Sequence, residues 1–303
     1  MSFTGRREML FIYTVRDANP NGDPLNSNHP RYDEETEQVL VSDVRVKRTV
    51  RDQWLRNEEL VFVDGQPKTL NERFIELKEK TQKNTGKEVM AECLDARLFG
   101  VTFALGKESF SWIGPVQFKW GRSLHAVTVD FVQGTSAFAT ESKKGEDKQQ
   151  RSFRNEYKVP FAMITVYGIA NQFASQRTGA TDEDLDALRS ALWQGTENLI
   201  TRSKNEHMPV FYLEIIYKPG FAGKIGSLDE KIVLLDAEGS QLTRDAGRSL
   251  RSIENCRLSI EPLLKRLQGI KEQIEKIVIR KDAELMIAHL GGLDSLGFDI
   301  LKK

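Results

Sequence analysis

The 303-residue chain is 39% hydrophobic and 29% charged, a balance that suits a soluble globular protein and excludes a disordered one. Its 44 basic and 44 acidic residues cancel, so any nucleic-acid site has to arise from local segregation of charge. Two cysteines, Cys93 and Cys256, are too few for a disulfide framework or a Cys-rich zinc site, and a reducing, cytoplasmic location is the expectation.

The N-terminal "MSFTGRREML" has no apolar stretch of signal-peptide length, and no segment reaches transmembrane length, so no membrane partner is expected. "EMLFIYTV" (8–15) is rich in β-branched and aromatic residues and reads as a buried strand. A turn-rich loop follows over 16–41, long for a connection inside a compact domain. Ser42 is a plausible N-cap for a helix over 43–56, with Val46, Val50 and Trp54 forming its core stripe. Further helices are predicted over 69–82 and 88–99, the second stopped by Gly100.

From 109 to 133 the pattern changes to strands and turns, followed by a polar, charged, aperiodic segment over 139–158. "VPFAMITVYGIA" (159–170) and "PVFYLEIIYK" (209–218) read as two more buried strands. Between them, Thr181 with Asp184 resembles a capping box that opens a helix carrying Leu185, Leu188, Leu192 and Leu199 on one face. The tail, 228–303, has a strand-like "KIVLLD" and a helical region in which Leu263, Leu267, Ile270, Ile274 and Ile277 recur at 3–4 spacing. The strongest elements run strand, helix, strands, strand, helix, strand. That order predicts an α+β fold with a ferredoxin-like or RRM-type sheet and long insertions at 16–41, 57–108 and 134–158.

Phosphate-binding and catalytic motifs such as G-x-x-x-x-G-K-[ST], H-E-x-x-H and G-x-S-x-G are missing, and no cofactor is expected. The four histidines, His29, His125, His207 and His289, lack metal-ligand spacing and read as surface or hydrogen-bonded groups. "NPNGDP" (19–24) favours tight turns that expose backbone N–H groups, which either make an ordinary turn or cradle phosphate oxygens. The predicted helix 43–56 sets Arg45, Lys47, Arg48, Arg51 and Arg56 against Asp43 and Asp52, five positive charges to two negative. Such a face suits either solvent or an extended phosphate chain. In "GPVQFKWGRSLH" (114–125), Val116, Phe118 and Trp120 are expected on a core face, leaving Lys119, Gly121, Arg122 and Ser123 as the candidate backbone contacts.

Four blocks in this order, "NPNGDP", "PRYDEETEQVLVSDVRVKRTVRD", "GPVQFKWGRSLH" and "VPFAMITVYGIANQFASQRTGATDEDLDALRSAL", resemble family seven of the CRISPR-associated proteins. That family supplies the repeated backbone subunit of the type I surveillance complex, Cascade, and the likeness is closest to subtype I-B, with similarity to I-C. It covers about residues 7–220. The resemblance implies a right-hand architecture within one elaborated RRM-like domain over 1–303. Its parts would be a palm, a helical fingers insertion over 57–108, a protruding thumb over 134–158, and a C-terminal extension of the palm over 228–303. Implied partners are guide crRNA, the target DNA strand, head-to-tail copies of the same chain and other Cascade subunits.

Carried onto this sequence, the family's phosphate-gripping helix falls on "SDVRVKR", with Lys47 and Arg48 foremost and Arg45 and Arg51 beside them. Asn19, Asn21 and Gly22 would approach the guide backbone, and the "WGRS" turn would be a second contact. Phe138, Phe153 and Arg154 would act on the thumb. The family's type I members bind without cutting. In the alternative, Asp33 corresponds to the acidic residue with which type III relatives cleave RNA. A generic single-strand-binding RRM protein is the other rival, although no K/R-G-F/Y-G/A-F-V-x-F/Y run is present.

Overall fold

The computed structural model describes residues 1–135 and 153–302. Strand β1 (Arg7–Ala18) is buried on both faces from Arg7 to Val15, as its unbroken apolar run requires. The long 16–41 connection folds into two small hairpins rather than a plain loop. One pairs β2 (Gly22–Asp23) with β3 (His29–Pro30), the other β4 (Tyr32–Asp33) with β5 (Gln38–Val41). Helix α1 (Asp43–Arg56) begins at the predicted cap, where Ser42 Oγ accepts from Arg45 N at 3.2 Å. Val46, Val50 and Trp54 are buried along its inner stripe, as their spacing dictates.

The following insertion has a core of its own. Helices α2 (Leu70–Thr81) and α3 (Gly86–Glu92) each open on a capping box, Thr69 with Glu72 and Thr85 with Glu88. The expected helix 88–99 is interrupted. Cys93 takes an extended conformation, Leu94 N donates to Leu60 O at 2.8 Å, and α4 (Leu94–Phe99) starts afresh. Gly100 ends it at φ +86°, a conformation that favours glycine, and a Cβ there would lie 2.4 Å from Trp112 O. Strands β6 (Gly100–Leu105) and β7 (Glu108–Ile113) form a hairpin over Leu77, Val89, Met90, Cys93 and Phe103. The insertion is therefore helices plus a hairpin and runs past 108 to Ile113.

Strands β8 (Val116–Phe118) and β9 (Gly121–Ser123) both pair with β11 (Phe153–Ala170). The ladder breaks between them, so the alternation that puts Val116 and Phe118 inward stops there, and Trp120 is 44% exposed instead of packed in the core. Strand β10 (Asp130–Thr135) pairs only with the N-terminal part of β11, from Asp130↔Lys158 to Thr135↔Phe153. Next come α5 (Gln172–Thr178), α6 (Asp182–Glu197) and β12 (His207–Tyr217). The Thr181–Asp184 capping box is present, and Leu199 lies beyond the helix end.

After β13 (Val233–Leu235), α7 (Arg244–Ser249) and β14 (Arg257–Ser259), helix α8 stops at Gly269 (Glu261–Gly269). Ile274 and Ile277, expected on a continuing helix, lie on strand β15 (Ile274–Lys281), where β12 offers a free edge to pair. Strands β16 (Ile287–Ala288) and β17 (Asp299–Lys302) follow, the latter parallel to β15.

The main sheet runs β17-β15-β12-β1-β11-β9-β5-β4. Its centre, β12-β1-β11 with β8 and β9, is antiparallel, and the helices α1 and α6 connect its strands in the β-α-β-β-α-β order read from the sequence. On one face, Met9, Phe11, Tyr13 and Val15 meet Val46, Val50, Trp54, Leu185, Leu188 and Leu192. On the other, Leu10 and Ile12 meet Leu258, Leu263 and Leu267 of the C-terminal region. The sheet is thus covered on both sides. Glu8, fully buried, holds that cover down: its carboxylate accepts from the Tyr167 and Tyr217 hydroxyls and from Ile225 N and Gly226 N, both at 2.7 Å.

Candidate nucleic-acid interface

The N-terminal end of α1, the two small hairpins and the β8–β9 turn converge at one rim of the sheet. Asn21 ties them together, its Oδ1 accepting from Ser42 N at 2.8 Å. Asn19 is 1% exposed, its Nδ2 donates to Asn28 O at 2.7 Å, and its Oδ1 has no partner. Gly22 passes so close to Asn28 that a Cβ would fall 1.9 Å from Asn28 Oδ1. Asn19, Asn21 and Gly22 therefore build the shape of this lip, with the two asparagine side chains turned inward.

Lys47, Arg48 and Arg51 of α1 are met by carboxylates. Lys47 Nζ lies 3.3 Å from Asp43 and 5.5 Å from the centre of the Phe99 ring. Arg48 pairs with Asp52, and its Nη1 also donates to Val63 O at 3.4 Å. Arg51 Nε reaches Asp95 at 2.7 Å, and buried Asp95 in turn accepts from Phe62 N and Val63 N, so this pair fastens the insertion to α1. Arg45 differs. Its Nη2 donates to Thr49 Oγ1 at 2.9 Å, Asp52 is 3.8 Å away, and Nε has no partner.

In the β8–β9 turn, Arg122 is half-exposed, with Nη1 2.9 Å from Asp33 Oδ2. The Arg122 hydrogen bond, aided by Thr36 and Glu35 N–H groups, holds the Asp33 carboxyl below its ordinary range. Ser123 Oγ is spent internally, donating to His125 O at 2.7 Å and accepting from Val39 N at 3.1 Å. Gly121 is buried where the backbone approaches β11, 3.0 Å from Thr165 O to a would-be Cβ. Lys119 is drawn onto Asp229 and Glu230; burial opposes its charge, and those two hydrogen bonds outweigh it and raise its pKa. Outward-facing groups of this turn are thus Arg122 and Trp120, and the Arg31 guanidinium sits 5.9 Å from the Trp120 ring centre.

The family model described as CRISPR-associated protein Cas7 matches residues 5–261. The chain belongs to this family. It is similar to a CRISPR-associated protein Cas7 of Haloferax volcanii, 25% identical over 94% of this chain and 89% of that one. Among solved structures, a chain of a "CRISPR RNA-guided surveillance complex, pre-nicking" matches with TM-score 0.59 at 15% identity, over 98% of this chain and 96% of that chain. A chain of a "CRISPR RNA-guided surveillance complex" matches with TM-score 0.53 at 16% identity, over 96% and 98% respectively. At these identities the likeness shows a shared mixed α+β fold.

In this Cas7-family chain the β10–β11 ladder exposes Phe131 and Val132. Tyr157 packs at 5.1 Å from Phe131 and 4.8 Å from His29, joining the ladder's base to the lip. Phe138 lies outside the described residues, as do the side chains of Phe153 and Arg154, whose backbone forms the outer rungs.

Sequence reasoning missed Lys204 and His207. His207, expected at the surface or hydrogen-bonded, is 2% exposed with both ring nitrogens unpartnered, stacked 5.9 Å from Tyr13. Lys204 Nζ donates to Asn19 O at 2.6 Å. Both come from the aperiodic "SKNEH" that runs into β12, which carries no signal that its residues reach the lip. The two cysteines are buried free thiols, Cys93 raised to about 12 and Cys256 to about 11 chiefly by burial, which makes them poor nucleophiles. Among the described residues, no helix is long and apolar enough to cross a membrane, and no three His, Cys, Asp or Glu side chains cluster as a metal site.

Proposed function

We propose that this protein is the repeated backbone subunit of a type I, Cascade-type surveillance ribonucleoprotein, acting in the cytoplasm in antiviral defence. Copies would stack head-to-tail along a guide crRNA, an open heterologous assembly that grows as a helical filament. Each copy would bind the guide through its phosphates, sequence-independently, and leave the bases to pair with the target DNA strand while other Cascade subunits flank the array. The observation that carries this reading is the Cas7 family match over residues 5–261, which spans the sheet from β1 to β12, the insertion and the β10–β11 ladder.

The main sheet serves as the palm, the insertion after α1 as the fingers, and the β10–β11 ladder as the base of the thumb. Lys47, Arg48 and Arg122 are the phosphate contacts, with Trp120 beside them. Each cation already has a carboxylate, so the guide competes for it, which favours loose, salt-sensitive binding along many copies over tight binding by one. The covered sheet faces argue against the generic RRM reading, because bases stacked on an RRM need an exposed sheet. A non-catalytic role is supported by the engagement of Asp33 with Arg122 and with Glu35 and Thr36 N–H groups, the habit of a turn aspartate.

Native mass spectrometry on mixtures with single-stranded RNAs of increasing length tests the proposal. The number of bound copies should rise linearly with RNA length and be indifferent to sequence. A fixed one-to-one stoichiometry at all lengths would remove the filament reading.

A further inference from the structure

At the foot of α1 a narrow crevice opens between the lip and α6. Phe11 and Tyr13 line its floor, Pro20 and Val41 one side, and Leu192, Thr196 and Leu199 the other. Two nitrogen-bearing side chains line it, Arg45 from the first turn of α1 and His207 from the start of β12. A third, Lys204, lies outside the lining and donates to the carbonyl of Asn19, the residue before Pro20. Their chemistry is unlike that of the rim above. Lys47, Arg48, Arg51, Arg122, Lys119 and Arg31 each have a carboxylate within 3.5 Å, counting Asp23 at 3.5 Å from Arg31. Lys204 has none among the described residues, and the carboxylate nearest Arg45, Asp52, already serves Arg48.

Buried polar groups are nearly always paired, and three orphans in one place call for a partner. Here the orphans are Arg45 Nε and both nitrogens of His207. Burial, then the Arg45 charge, lowers Lys204 to about 8; burial, then Lys204 and Arg45, lowers His207 to about 3. The three groups thus oppose one another's protonation, and a single negative charge between them would relieve all three. The enclosed space is about 20 Å³, room for one water-sized atom group but not for a base or a whole phosphate.

We infer that Arg45, Lys204 and His207 form a seat for one non-bridging phosphate oxygen of the bound strand, at the mouth of this crevice. The inference deepens the proposed function and rests on it. The phosphorus stays outside, beside Pro20, and one oxygen enters the crevice. Arg45 and Lys204 supply charge, and neutral His207 supplies one N–H. The seat is sequence-blind because it touches no base.

The test is a salt titration of binding to a single-stranded RNA by the full chain and by Lys204→Met, with Lys265→Met, a paired cation on α8, as control. Removing one phosphate contact should flatten the log–log salt slope by about 0.7 and weaken binding about fourfold near 0.15 M salt. Lys204→Met should melt no lower than the parent, since it removes a cation that has no carboxylate. The Lys265 variant should match the parent in every respect. Unchanged slope and affinity in Lys204→Met, while the parent binds, would overturn the seat and leave a water-filled crevice. A lower melting point with unchanged binding would overturn it too, assigning Lys204 to the lip's architecture. Failure of the parent itself to bind RNA would instead strike the proposed function. In that case inorganic phosphate decides the seat: a phosphate-dependent rise in melting temperature, lost in Lys204→Met, supports it, and no rise overturns it.

Discussion

Two groups of cations sit within one turn of helix of each other and are treated differently. Along the outer flank of α1, Lys47, Arg48 and Arg51 each rest on a carboxylate. At its foot, Arg45 shares the crevice with His207, Lys204 lies beside them, and burial and repulsion work against charge. A paired cation already has half of its work done by the fold, and a ligand must displace a carboxylate to use it. One with no carboxylate close by keeps more of its attraction for an anion, at a cost to the empty protein. The contrast separates cations that a ligand must win from a carboxylate from those it can engage directly.

The strongest way to break this comparison is at Asp95, the carboxylate behind Arg51. It is 1% exposed and also receives two backbone N–H groups, so Asp95→Ala leaves those donors and a half-buried guanidinium unpaired. A loss of about 3–5 kcal/mol in chemical unfolding is expected. A loss under about 1 kcal/mol would place Arg51 among the free cations after all.

Next in size is the pair Lys47→Ala with Arg48→Ala. Affinity for RNA should fall alike for all sequences, and the salt slope should flatten by about 1.4, two single-strand contacts' worth. Full affinity with an unaltered slope would take the guide away from this flank.

A smaller effect is expected from Asp33→Asn, which frees Arg122 from its partner. RNA binding should tighten by a few-fold, because one competitor for the guanidinium is lost. If the parent cuts target RNA and the variant does not, Asp33 is catalytic and the enzyme reading replaces the binding one.

A last signal is in pH. His207 titrates at 6.5 when unfolded and at about 3 when folded. The folded state therefore binds fewer protons in that window, and stability should decline as pH falls from about 6.5 toward 3. For Lys204 the unfolded value is 10.5 and the folded value about 8, so stability should rise with pH between them. His207→Phe should abolish the first dependence; its survival in that variant would mean another group carries it.

Much of the framework was legible in the sequence because it is written in local code. The Ser42 cap, the Val46–Val50–Trp54 stripe, the Thr181–Asp184 box and the strand order all depend on neighbours a few residues away. What escaped depends on distant partners. Ile274 and Ile277 keep helical spacing but join β15 because β12 presents an edge to them. Trp120 stands out because the ladder to β11 lapses around it. The basic flank of α1 could be read as basic, yet its neutralisation by Asp95, forty-four residues along, could not. Lys204 and His207 reach the lip only through the return of β12 beside β1.

Sequencing the nucleic acid that copurifies with the protein from its own cells tests the central claim most directly. The account predicts RNA of uniform length with a constant, repeat-derived sequence at its ends and variable sequence between. Heterogeneous cellular RNA without such ends, or no RNA at all, would contradict it.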